Sequence, residues 1–81
     1  MSKRQTYVAR LTQDNWATLH TIQPITCALF VLFPFRGWEI FNFYTGTAAA
    51  EAAGYDLVTK GRGITDYRIV AASLKQSEAS K

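Results

Sequence analysis

Cysteine and histidine each occur once in this 81-residue chain, as Cys27 and His20. That scarcity removes most of the chemistry a small protein can carry. A single cysteine closes no internal disulfide and gives no sign of an oxidising compartment. One imidazole and one thiol do not supply the several soft ligands of a metal centre, so neither a metal nor a cofactor is expected. The six carboxylates are scattered, with no local pair suited to acid–base work. A non-enzymatic protein is therefore expected. Cys27 opens an apolar run, where a thiol acts as a small hydrophobe, and His20 is expected in a partly exposed loop or helix.

Long hydrophobic runs are also missing. The longest extends from Cys27 to Phe35, far short of the roughly 20 residues that a membrane-spanning helix needs. Met1-Ser-Lys-Arg-Gln5 lacks the apolar segment of a signal peptide, and the cytoplasm is the expected location. With two prolines and five glycines there is no Pro/Gly-rich linker. One domain over residues 1–81 is expected, with an ordered core from about residue 5 to 73 and a polar tail over 74–81. A net charge of +3 is a mild excess, below the clustered charge of a dedicated duplex-DNA binder.

What the chain does have is apolar and aromatic content. A chain of this length buries roughly 60% of its unfolded surface, and 48% hydrophobic residues are enough to fill such a core without staples. Two seven-residue apolar runs, Cys27 to Phe33 and Trp38 to Tyr44, flank Pro34-Phe35-Arg36-Gly37. Both are rich in aromatic and β-branched residues, which predicts a β-hairpin. The first run is apolar at every position, so both of its faces need cover. It is either a central strand or an edge that meets a partner.

Elsewhere the period is mixed. Residues 5–11 alternate as a strand, with Tyr7, Ala9 and Leu11 on one face. Residues 12–23 admit two readings. Thr12 as an N-cap, Asp14 in the first turn and Pro24 as a stop favour a helix bearing Trp16 and Leu19. Asp14-Asn15 as a tight turn, with Thr18, Thr21 and Ile22 favouring extended backbone, makes residues 16–22 a strand instead. The local capping signal tips the balance toward the helix. Ala48 to Lys60 predicts a helix capped by Thr47 and closed by Gly61. Its stripe of Ala50, Ala53, Gly54, Leu57 and Val58 faces the sheet, and Gly54 in mid-helix implies a close backbone approach. Residues 64–72 predict a last strand, with Tyr67 and Ile69 opposite Arg68 and Val70.

These elements give an α+β fold with one antiparallel sheet, one face of which is covered by helix. A strand–helix–strand unit over 38–72 requires a right-handed crossover, with the last strand parallel to the 38–44 strand and another strand between them. A helix at 13–22 makes the order βαββαβ, ferredoxin-like, which is the preferred arrangement. A strand there makes it a ββββαβ meander with one helix. The ferredoxin-like order leaves the apolar 27–33 strand at an edge, a liability unless a second chain pairs with it, so a homodimer through that strand is an expectation.

If Phe41 and Phe43 face the helix, then Trp38, Asn42 and Tyr44 lie on the open face, joined by Tyr7 and Tyr67 and flanked by Arg36. Aromatics with arginine on an open sheet suit stacking of single-stranded bases, and equally suit a protein partner. The turn Lys60-Gly61-Arg62-Gly63 is basic and is either a phosphate contact or a solvated helix end. Glu39 is expected beside Arg36 at the hairpin mouth.

The octamer Arg36-Gly37-Trp38-Glu39-Ile40-Phe41-Asn42-Phe43 resembles the third-strand signature of RNA-recognition-motif domains. Arg36, Gly37 and Phe43 match, and Trp38 stands at a stacking position. Thr6-Tyr7-Val8-Ala9-Arg10-Leu11 resembles the first-strand hexamer, with Tyr7 at its stacking position. Glu39 and Ile40 depart from the pattern, Ile40 standing at the second stacking site. The resemblance implies a βαββαβ fold and binding of single-stranded nucleic acid. In size and organisation the chain also resembles small phage-encoded inhibitors of host machinery, among them anti-CRISPR proteins, and no single residue carries that likeness. A non-enzymatic module that binds a host or self protein is the expected function, with single-stranded nucleic-acid binding as the alternative.

Overall fold

A computed structural model of the chain describes residues 4–60 and 63–75. They form five strands and one helix: β1 (Gln5–Thr12), β2 (Asn15–Thr21), β3 (Cys27–Phe33), β4 (Gly37–Tyr44), α1 (Thr47–Thr59) and β5 (Asp66–Leu74). The order is therefore ββββαβ, and the helix expected over residues 12–23 is a strand. Thr12 is not a cap; it pairs with Asn15 across a two-residue turn at Gln13-Asp14. The period decided this. Ala17, Leu19 and Thr21 are half-buried while Trp16, Thr18 and His20 are exposed, the alternation of a sheet surface rather than a helical stripe.

The strands lie in the order β2-β1-β5-β3-β4, and every neighbouring pair is antiparallel. This is not a simple meander, because β5 inserts between the two hairpins. β5 thus runs parallel to β4 with β3 between them, as the crossover requires. The insertion also answers what covers the apolar run. β3 pairs with β4 on one side and β5 on the other, so it has no free edge for a homodimer. Cys27 to Val31 are all at most 1% exposed. At roughly 1.5–3 kcal/mol for each large side chain removed from water, Leu29, Phe30 and Val31 form the energetic centre of the domain.

Two cores flank this strand. On one side Leu29 and Val31 join Ile64 beneath α1, with Ala53, Leu57, Val58 and Tyr67 packed around them. On the other side Phe30 and Ala28 join Ala9, with Trp38, Phe43 and Leu11 around them. The sheet curls about the second core until its edge strands β2 and β4 touch, where Asn15 Nδ2 donates to the Trp38 carbonyl oxygen at 2.9 Å. The result is nearly a barrel.

The stripe on α1 lies as the sequence implies, with Ala50 and Gly54 fully covered. A methyl group at Gly54 would overlap the ring of Tyr67, which is why glycine occupies mid-helix. The N-cap is Gly46 in extended conformation, and no side chain caps the helix. Thr47 is instead the first helical residue. Lys60 ends the helix, and the closing role expected of Gly61 lies outside the described residues. At the β3–β4 hairpin the turn reverses through Pro34 to Arg36, and Gly37 takes φ +89°, the left-handed backbone that glycine adopts without strain.

Candidate functional site

The six residues expected to share an open face do not share one, and a single bulge accounts for much of this. Leu29 pairs with Asn42 and Phe30 with Ile40, so Phe41 has no partner across the ladder. An unpaired residue resets the in–out alternation of its strand. Upstream of it, Trp38 packs beside Phe30 on the side away from the helix; downstream, Phe43 takes that side and Tyr44 turns toward α1. The expected placement of Phe43 against the helix is thus reversed, and Phe41 stands 47% exposed.

The remaining rings are also committed to packing. Tyr7 is 7% exposed, and its hydroxyl donates to Gln5 Oε1 at 3.3 Å. Tyr67 lies under Gly54 and donates its hydroxyl to Glu51 Oε1 at 3.3 Å. Partial burial, followed by the Glu51 carboxylate, raises its pKa above the usual 10.0. Trp38 lies beneath the Arg68 guanidinium, 5.6 Å from its ring centroid. Only Asn42 and Arg36 of the expected set are exposed. Asn42 accepts the Phe43 N–H on its side-chain oxygen. Arg36 sits over the Phe33 ring at 4.2 Å and pairs with Glu39 at 3.4 Å, the hairpin-mouth position expected of Glu39. In the basic turn, Lys60 pairs with Asp56 at 3.3 Å, and Arg62 lies outside the described residues.

Two surfaces remain in place of the single aromatic face. The first is the outer edge of β4 and the tip of its hairpin. β4 pairs only with β3. Along its other edge Ile40 is 39% and Phe41 47% exposed, and Phe35 at the tip is 99% exposed. Strand edges with unpaired amides and exposed apolar side chains are templates for another chain.

The second surface was hidden from the sequence because it depends on residues 15–21 being a strand. α1 contacts β3, β4 and β5, but it does not reach β1 or β2. On the helix side of the sheet, therefore, no described element covers the β2–β1 hairpin and the end of β5. Trp16 and Arg10 pair across the ladder at one end of this area, with the guanidinium 5.5 Å from the ring centroid. In the middle, Val8 lies between Thr18 and Ser73. At the other end Thr6 lies opposite His20, bonded Oγ1 to Nδ1 at 2.9 Å, and the Lys75 N–H donates to the Thr6 carbonyl. Small side chains lie between one indole and the basic residues Arg10, His20 and Lys75, and none of these positions carries a carboxylate.

Cys27 is buried, and His20 is an exposed strand residue rather than a loop or helix one. Among the described residues no three His, Cys, Asp or Glu side chains lie close enough together to hold a metal ion, and no helix is long and apolar enough to cross a membrane. Comparison with protein-family models, with curated proteins and with solved structures returned no match.

Proposed function

We propose that this protein is a small non-enzymatic interaction module that binds a protein partner along the outer edge of β4 beyond the Asn15–Trp38 contact, and at the tip of the β3–β4 hairpin. The observation that carries this is the cluster of exposed apolar side chains on an edge strand and its turn: Ile40 and Phe41 on β4, which pairs with β3 alone, and Phe35 at the hairpin tip. A strand edge offers main-chain hydrogen bonds to an extended segment, and flanking side chains supply selectivity. Phe35 would act as the anchor, since aromatic side chains entering a partner's pocket dominate such interfaces. Arg36, held by Phe33 and Glu39, would face the partner at the rim. An inhibitor of a host protein complex, of the small phage-encoded kind, is the finer form of this proposal.

The test is affinity capture from nuclease-treated bacterial lysate at high salt. A protein retained in fixed ratio by the wild type and lost with both Phe35→Ala and Phe41→Ala supports the proposal. Retention that both variants preserve contradicts it.

A further inference from the structure

We infer that the bare area formed by β2, β1 and the end of β5, on the side of the sheet that carries the helix, is a separate binding site for single-stranded nucleic acid. The side chains there are of two kinds. Trp16 is 52% exposed on the edge strand β2. An exposed indole in that setting offers a stacking face to any base, and such stacking is tolerant of sequence. Arg10 is exposed on β1 beside Val8, and exposed Lys75, just past the end of β5, donates its N–H to the Thr6 carbonyl. Exposed Arg4 precedes β1 at the same margin.

The charges on the rest of the molecule sharpen the contrast. Glu39 is paired with Arg36 and Asp56 with Lys60. Glu51 accepts from the Tyr67 hydroxyl, and Asp66 accepts the Tyr67 N–H. All four carboxylates lie on α1, β4 or the start of β5. Among the described residues the remaining acid is Asp14, in the turn beyond Trp16. Around the bare area the described charges are mainly Arg4, Arg10 and Lys75, while α1, β4 and the start of β5 carry the four acids above, so a polyanion is drawn to the former. The small side chains of Thr18, Val8, Ser73 and Ala71 leave no ridge between the ring and the lysine, so an extended backbone can cross all three strands. The charge is too small for duplex affinity, which rests on many phosphate contacts, and an indole stacks only on an unpaired base. Together these select a single strand.

Fluorescence anisotropy of labelled dT12 and rU12 oligonucleotides, titrated with the full chain at low salt, tests the assignment. Saturable binding is expected to both, weaker for the matching duplex. Trp16→Ala should weaken it roughly 5- to 150-fold. Arg10→Ala should lower the slope of log affinity against log salt by about 0.7, one phosphate contact on a single strand. Thr18→Glu places a carboxylate in the middle of the area at an exposed strand position and should abolish binding, while Tyr55→Ala, at an exposed position on α1, leaves it unchanged. The absence of oligonucleotide binding would overturn the assignment, as would binding indifferent to Trp16→Ala and Thr18→Glu. Loss of a captured protein on Trp16→Ala, without oligonucleotide binding, would give the area to a protein instead.

Discussion

The two hairpins of this protein are built on opposite plans. In β3–β4 the inner strand is apolar at every position and buried on both faces, with α1 on one side and the curled sheet on the other. In β1–β2 each strand alternates, with one face turned to the second core and the other open to water. The first hairpin supplies stability; the second is a surface supported by it. Function is therefore to be sought where packing makes the weakest demands, on the bare side of β1–β2 and at the outer rim of β4.

The contrast can be broken most severely at Phe30, which is fully buried beside Ala9 and Ala28. Phe30→Ala should cost about 3–5 kcal/mol in urea unfolding. Gly54→Ala is a finer probe of the covered half. Alanine improves helix propensity by up to about 1 kcal/mol, but its methyl overlaps the Tyr67 ring, and overpacking costs typically about 1–3 kcal/mol. A net loss of stability is expected, and a gain would mean that the helix sits further from β5 than described.

The alkaline limb follows from Tyr67. Its folded pKa lies above the ordinary 10.0, so its contribution is fully present below that value and is lost as pH rises through the raised one. Tyr67→Phe should flatten the fall in melting temperature at alkaline pH. The smallest effect belongs to the bare half: Trp16→Ala should change unfolding stability by no more than about 0.5 kcal/mol.

Much of the covered half could be read from the chain itself. The β3–β4 hairpin follows from two apolar runs around a Pro/Gly turn, and α1 from its alanines and its small-residue stripe. Gly54 in mid-helix implies a close approach, and the group it approaches is the Tyr67 ring. The bare half was obscured by competition between local signals. Thr12, Asp14 and Pro24 resemble helix boundaries, whereas the alternation of Trp16, Thr18 and His20 against Ala17, Leu19 and Thr21 is a sheet pattern, and tertiary pairing with β1 settled the contest.

Two further features have no local signal. The bulge at Phe41 moves Phe43 and Tyr44 to opposite sides from those expected, though nothing about Phe41 marks it as unpaired. The insertion of β5 between β1 and β3 is a long-range choice, driven by the need to cover both edges of an apolar strand. An aromatic face inferred by counting alternate residues along β4 could not survive the bulge.

The two tryptophans fall one to each hairpin, and they permit the most direct test of this division. Iodide quenching of the single-tryptophan variants Trp38→Phe, leaving Trp16, and Trp16→Phe, leaving Trp38, compares the surfaces in solution. Trp16 should emit at longer wavelength and be quenched strongly, the anion being drawn toward Arg10, while Trp38 should be blue-shifted and only weakly quenched. Equal quenching of both, or a shielded Trp16, would contradict the account.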